Sequence, residues 1–267
     1  MSQPSSPQAG GSRRILAVLL GLSLVSFISM LSIAQATSAS AGNRMLARTA
    51  ATITDVDAAL PGIESALRES ASEDSQDAVT VPNYPIPVQI PRDEALTLTG
   101  AELRDRILAT SGDALYNDGV SVWTDGDPEA SQQIGRGSTA GAVRLGIGLV
   151  GDTQHTVFLV LAGVAGVATL VFAATLTAQM SALRRLVALG GIVAASAGLA
   201  LLGTLVMGVV LPSFSGDQFT DDLLDIVVDA QSVAVRNFII VSLLGLAVGA
   251  VGFVAISIET RSQSEGR

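Results

Sequence analysis

The chain of 267 residues lacks cysteine, and all 15 of its basic side chains are arginine because it lacks lysine as well. The absence of cysteine excludes disulfides, thiolate metal ligands, cysteine nucleophiles and a lipid-carrying N-terminal cysteine. The absence of lysine excludes Schiff-base chemistry, a P-loop lysine and a serine–lysine dyad. Histidine occurs once, at His155. We therefore predict no catalytic residue and no cofactor, and an enzyme is the less favoured class of function.

The charge balance is acidic, with a formal net charge of −9. A negative surface repels nucleic acid, and the sequence has no basic patch that would offset this repulsion. Arginine in place of lysine, together with abundant alanine and glycine, suggests a GC-rich bacterial genome. We expect no nucleic-acid partner.

Uncharged apolar runs are the dominant feature of the chain, and they lie near residues 15–34, 156–178, 186–211 and 238–258. A bilayer core about 30 Å thick needs roughly twenty apolar residues in a helix. Such segments are helical because a helix satisfies its own backbone polar groups in lipid. The sequence therefore predicts a polytopic protein of the bacterial inner membrane, with a four-helix transmembrane bundle and membrane lipid as a partner.

The arginines set the predicted orientation. Arg13 and Arg14 precede the first run, Arg184 and Arg185 lie between the second and third, and Arg261 follows the fourth. Cytoplasmic flanks of membrane helices are enriched in basic residues, so we predict that both termini are cytoplasmic.

The first run has a second interpretation. Ala34-Gln35-Ala36 follows a basic flank and an apolar core, which is the pattern of a cleavable signal peptide. The run is long for such a core, which usually has about 7–15 residues. Both interpretations place residues from about 40 onward outside the cytoplasm.

A mostly apolar stripe with spacings of three and four follows the first run, at Leu46, Thr49, Ile53, Val56, Leu60, Ile63 and Leu67. This spacing predicts an amphipathic helical stalk, which packs either on its own domain or on a partner chain in a coiled coil. Pro61 predicts a kink or a restart, because proline removes a helix hydrogen bond.

The next segment is predicted to be a small extracytoplasmic α+β domain. Four prolines between 79 and 91 favour extended backbone lying at the edge of the domain. Thr99 and Glu102 form a capping box that predicts a helix over about 99–116. Short strands are predicted at 120–124 and, from period-two alternation, at 143–149.

The predicted order along the chain is as follows: a disordered cytoplasmic tail at 1–12, membrane helix or signal peptide at 13–36, stalk and linker at 37–78, α+β domain at 79–152, second membrane helix at 153–180, cytoplasmic loop at 181–185, third membrane helix at 186–211, acidic helical loop at 212–237, fourth membrane helix at 238–258, and cytoplasmic tail at 259–267.

Small residues recur every four positions at Gly190, Ala194 and Gly198, and Gly245 and Gly249 form a GxxxG pair. Small residues let membrane helices approach closely. We expect this packing inside one bundle, with dimerisation as the alternative.

Acidic residues supply the candidate chemistry. Asp221, Asp225 and Asp229 share one helical face, which could attract Ca²⁺ or Mg²⁺ as oxygen-ligand metals, or could be solvated. A second group surrounds Asp113, Tyr116 and Asp118 and continues to Glu129. No ionisable residue, asparagine or glutamine lies inside the four apolar runs, which argues against proton-coupled transport and intramembrane proteolysis.

By elimination we expect a non-enzymatic binding, sensor or scaffold subunit that acts through its extracytoplasmic domain on a protein partner or as a homo-oligomer. The alternatives are an extracytoplasmic hydrolase that uses carboxylates between Asp113 and Glu129, and a passive channel.

Overall fold

A computed structural model describes residues 8–73, 76–123, 148, 150–210 and 218–265. The chain divides into two compact units. Unit 1 comprises residues 1–33, 157–215 and 227–267, and unit 2 comprises residues 34–156 and 216–226. The described part is mostly helical.

Four helices of the described part are long and apolar enough to cross a membrane. They are α1 (Gln8–Ala36), α6 (Asp152–Ala178), α7 (Ala182–Val210) and α8 (Gln218–Glu265). The membrane-length segment of α8 is Gln231–Arg261, with 31 residues. The prediction of four membrane-length apolar helices is confirmed.

The helix that carries the fourth apolar run is longer than that run. It begins at Gln218 and includes Gln231, Arg236 and Asn237, which precede the uncharged residues 238–258. The candidate membrane segment among its described residues is Gln231–Arg261.

Helix α1 is the most enclosed of the four. In its most apolar window 28% of residues are buried, against 11% or less for the others. Its Leu24 and Ile28 form a buried cluster with Ala197 of α7 and Phe238 of α8. Phe27 of α1 also lies against Gly166 of α6. Within unit 1, α1 therefore contacts the three other long helices.

Helices α7 and α8 meet through glycines. A Cβ on Gly190 would lie 2.6 Å from the carbonyl oxygen of Gly245 and from the Cα of Gly249. A Cβ on Gly245 would lie 2.6 Å from the backbone nitrogen of Ala194. The small residues thus pack within one chain, as predicted.

Unit 2 has its own hydrophobic core. Helices α2 (Ala39–Thr54), α3 (Val56–Glu73), α4 (Arg92–Thr97) and α5 (Gly100–Asp118) surround it, together with strands β1 (Ala78–Thr80) and β2 (Gln89–Pro91). The strands are antiparallel, with Val79 opposite Ile90. Leu67, Ile107 and Leu115 are among the fully buried side chains.

The proline-rich segment lies on this core with alternate side chains buried. Tyr84, Ile86, Val88 and Ile90 are buried, whereas Pro85, Pro87 and Gln89 between them are exposed. Extended backbone points successive side chains to opposite faces. The segment thus lies on the core as predicted, but it is not extended throughout, because it turns at Pro82 and Asn83 and bends at Pro85 and Ile86 before β2.

The heptad-like stripe faces the core of its own unit. Leu46, Val56, Ile63 and Leu67 are buried there and Leu60 is partly buried, while the side chain of Ile53 lies outside the described part. The same face cannot also form a coiled-coil seam with another chain. Of the two predicted arrangements for the stripe, the structure has the amphipathic helices packed on their own unit.

The helix breaks near the stripe lie at different places from the one predicted. Helix α1 ends at Ala36 and α2 begins at Ala39, so the stripe does not continue α1. Asp55 has a left-handed backbone, with φ 44°, and separates α2 from α3. The restart predicted at Pro61 is wrong, because α3 begins at Val56 and continues through the proline, and a kink there stays a prediction.

The predicted strands of unit 2 are also corrected. Residues 119–123 form a 3₁₀ helix (Gly119–Trp123) instead of a strand, because Gly119, with φ 61°, ends α5 and the chain tightens directly after it. Most of the strand predicted at 143–149 lies outside the described residues, and its one described residue, Gly148, is helical.

Helix α5 begins where the sequence predicts, but its N-terminus is capped by a different residue from the one predicted. Thr99 has extended backbone and makes no side-chain capping bond. Glu64 of α3 accepts a hydrogen bond from the Gly100 amide at 3.2 Å instead. A carboxylate from a neighbouring helix thus does what the capping box was expected to do.

Candidate functional site

The surface composition of the two units differs sharply. In unit 1, large apolar side chains are exposed along all four long helices, for example Val164, Leu199 and Leu243. In the described part of unit 2, the only exposed side chain of this kind is Leu96, at 42%. Contiguous apolar surface needs a nonaqueous environment or a partner. Unit 1 therefore has a surface that suits a nonaqueous environment or a partner, and unit 2 has a surface suited to water.

Tyr116 organises one end of unit 2. Its ring is buried near the end of α5, and its hydroxyl donates a hydrogen bond to the Thr37 carbonyl at 3.1 Å. Gly42 makes room for it, because a Cβ there would lie 2.7 Å from a ring carbon. Burial raises the pKa of Tyr116, and the carboxylate of Asp152 raises it further.

His155, like Tyr116, contacts a backbone carbonyl oxygen. Its Nδ1 lies 2.8 Å from the carbonyl oxygen of Ala34. A carbonyl only accepts, so Nδ1 carries the proton. With Tyr116 on Thr37, these two side chains attach α5 and the start of α6 to the end of α1 and the turn that follows it. We describe them as positioning residues of unit 2.

The carboxylates proposed for hydrolysis do not converge on one centre within the described part. Asp113 is exposed and accepts a hydrogen bond from the amide of Asn43. Asp118 is exposed, and the phenol of Tyr116 is committed to Thr37. Asp125, Asp127 and Glu129 lie outside the described residues.

The predicted metal face lies on α8. Asp221, Asp225 and Asp229 are in the helix, but their side chains lie outside the described part. Among the side chains that are described, no group of three or more His, Cys, Asp or Glu could hold a metal ion.

Polar contacts join the helices of unit 1. The Asn237 amide donates to the Ser32 hydroxyl at 2.9 Å, and the Thr169 hydroxyl donates to the Ser23 hydroxyl at 3.1 Å. Gln231 of α8 donates to the Thr204 carbonyl of α7. Sequence reasoning missed Asn237 and Gln231 because they precede the apolar run.

Several basic residues of unit 1 lie toward one end, whereas Arg236 lies beside Leu205 and Gly208 near the end of α7. The Arg13 guanidinium donates to the Gln179 carbonyl at 3.2 Å, which puts the start of α1 beside the turn from α6 to α7. Arg184 and Arg185 follow that turn. Gly252 of α8 packs against Leu186 and Val187, so the later part of α8, with Arg261, runs toward the same end.

Comparison of the chain with models of protein families, with curated proteins and with solved structures gave no match.

Proposed function

We propose that the protein is a multi-pass subunit of the bacterial inner membrane that binds or scaffolds a protein partner through unit 2. The observation that carries this proposal is the contrast between the units: one exposes apolar side chains along every long helix, whereas the other encloses its own core beneath a polar surface. A water-facing domain with a membrane anchor is suited to binding, as a sensor, scaffold or complex subunit.

The orientation belongs to the same proposal. Arg13, Arg184 and Arg185 lie at one end of unit 1, and basic flanks of membrane helices are retained on the cytoplasmic side. Both termini are then cytoplasmic and unit 2 is extracytoplasmic. We also propose that α1 is retained rather than cleaved as a signal peptide, because its buried Leu24 and Ile28 complete the apolar cluster of unit 1.

The alternatives receive less support. A hydrolase needs an acid and a base brought to one substrate bond, and Asp113 and Tyr116 have separate partners. A passive channel needs a hydrated path, and the described middle of unit 1 holds apolar side chains of α1, α7 and α8.

The absence of cysteine makes the orientation directly testable, because one introduced cysteine is the only thiol in the chain. Glu69 of unit 2 and Arg184 of unit 1 are both exposed charged residues. We expect a membrane-impermeant maleimide to label Glu69→Cys in intact spheroplasts and Arg184→Cys only after lysis. Labelling of Arg184→Cys alone in intact spheroplasts would overturn the orientation.

Binding is tested by photo-crosslinking in intact cells. A photoreactive amino acid at Arg44, Glu69 or Asp105, which are exposed on unit 2, is expected to give discrete adducts of one partner or of a second copy. The matched position is Arg184, which should give none of these adducts. Absence of adducts from every unit 2 position, together with a hydrolytic turnover that Asp113→Asn abolishes, would favour the hydrolase instead.

A further inference from the structure

Helices α7 and α8 leave an apolar groove on unit 1 with a volume of about 560 Å³. Leu205 and Val209 of α7 and Ile239 and Ile240 of α8 contribute to its walls. The volume lies within the range of about 300–1,000 Å³ that is usual for sites of small ligands. Because these side chains are apolar, the walls suit an aliphatic chain.

Among the described residues that line this apolar groove, one is a cation, Arg236. Arg236 is exposed, belongs to the membrane-length segment Gln231–Arg261, and has no carboxylate within ion-pair distance among the described residues. A charged side chain in a membrane segment is costly unless it is paired. A guanidinium binds phosphate with two parallel hydrogen bonds, so a phosphate is the counter-charge that Arg236 fits best.

The side-chain amide of Gln231 is a second polar group of the groove, and its oxygen lacks a hydrogen-bond partner within the described part. The Gln231 amide nitrogen donates to the Thr204 carbonyl, and Gly208 leaves room for this contact because a Cβ there would lie 2.9 Å from that nitrogen. The amide oxygen of Gln231 is buried and has no hydrogen-bond donor within the described part. A buried acceptor without a donor is costly, and a hydroxyl group would satisfy it.

We infer that the groove binds one anionic phospholipid with a hydroxyl-bearing headgroup, whose phosphate pairs with Arg236 and whose acyl chain lies along Leu205, Val209, Ile239 and Ile240. Charge complementarity selects this occupant, because the groove combines apolar walls, one cation and one unpaired acceptor. The inference rests on the proposed membrane embedding of unit 1 and is independent of which partner unit 2 binds.

Native mass spectrometry of the full-length protein tests the inference. The purified chain is titrated with phosphatidylglycerol and, separately, with zwitterionic phosphatidylcholine. We expect one phosphatidylglycerol per chain to be retained preferentially. Arg236→Gln should weaken that binding by roughly tenfold or more, the loss expected when a hydrogen bond to a charged group is removed.

Three further variants separate this site from general charge effects. Arg184→Gln removes the same charge from another exposed position of unit 1 and should leave phosphatidylglycerol binding unchanged. Arg236→Lys keeps the charge and should retain part of the binding. Val209→Trp fills the groove and should weaken binding while Arg236 remains.

Either of two results would overturn the inference. In the first, the native chain retains phosphatidylglycerol and phosphatidylcholine equally, and Arg236→Gln does not change the retention of either lipid. The other is a dimer that Val209→Trp disrupts without any lipid selectivity, which would assign the groove to a second copy. The thermal unfolding midpoint of each variant without added lipid shows that the variant is folded. The cysteine-labelling pattern shows separately whether the proposed membrane orientation holds.

Discussion

The phenol of Tyr116 donates its hydrogen bond to the backbone carbonyl of Thr37, 79 positions earlier in the chain, at 3.1 Å. This bond fixes the end of α5 to the turn that separates α1 from α2. His155 binds the Ala34 carbonyl close to the same turn in the sequence. Two polar side chains thus join the first residues of the segment 34–156 of unit 2 to residues near its end.

Tyr116→Phe removes the hydroxyl and leaves a buried carbonyl without that donor. We expect unit 2 to lose about 1 kcal/mol of stability, in the range of a net intramolecular hydrogen bond. The measurement is the denaturation midpoint of the full-length protein, with circular dichroism as the probe of unfolding. Asn117→Ala on the exposed face of the same helix is the control and should change the midpoint far less.

The raised pKa of Tyr116 predicts a dependence on alkaline pH. The folded phenol keeps its proton to a higher pH than the unfolded one, whose pKa is about 10. Its contribution to stability is therefore complete below about pH 10 and declines as the pH rises toward the raised pKa of the folded state. Tyr116→Phe should lack this component of the decline, and an identical alkaline profile in both proteins would contradict the prediction.

Asp57 predicts the opposite dependence at acid pH. The Arg104 guanidinium holds two hydrogen bonds to the Asp57 carboxylate, at 2.5 and 3.2 Å, and lowers its pKa. The stabilisation is present above the unfolded value near 4 and is lost as the pH falls through the lowered pKa. Asp57→Asn should show a flatter acid limb than the native chain, whereas exposed Glu69→Gln should keep the native limb. The effect is small because the pair lies at the surface.

Two adjacent glycines provide a matched test of the packing between α7 and α8. Gly190→Ala puts a methyl group against the backbone of Gly245 and Gly249, whereas a Cβ on Gly191 meets nothing within 4 Å. We expect Gly190→Ala to cost about 1–3 kcal/mol, the usual effect of overpacking. Gly191→Ala should be neutral in thermal unfolding in detergent. Equal midpoints for the two variants would show that the helices do not meet at Gly190.

Two leucines test whether the stripe belongs to the core of unit 2 or to a coiled coil. Leu67→Ala empties a fully buried position and should cost about 2–5 kcal/mol, while the same change at the exposed Leu96 should cost far less. The oligomeric mass should be the same for both variants in native mass spectrometry. A change of mass with Leu67→Ala and no loss of stability would support the coiled coil.

Hydropathy was sufficient to predict the four long helices, because membrane length and the absence of charge are local properties of the chain. The contacts made by residues before the fourth apolar run could not be predicted in this way. Gln231 and Asn237 look like flanking residues in the sequence, and only the neighbouring helices show that Asn237 binds Ser32 and that Gln231 binds Thr204.

The internal details of unit 2 depended on contacts that spacing does not reveal. The stripe from Leu46 to Leu67 was visible, but the left-handed turn at Asp55 was not, since aspartate is enriched in that conformation yet adopts it at few of its positions. Likewise Glu64 replaced the local cap of α5. The positions of Tyr116 and His155 carried no signal, because their acceptors are backbone carbonyls distant in the chain.

The place of α1 among the long helices has a consequence for biogenesis. Of the four long helices α1 is translated before the others, yet its Ser32 is bonded by Asn237 and its Ile28 is clustered with Phe238, both from α8. Helix α1 therefore stays incompletely packed until α6, α7 and α8 have been synthesised. A nascent chain that stops after α7 would lack these contacts and would leave the apolar cluster of α1 open.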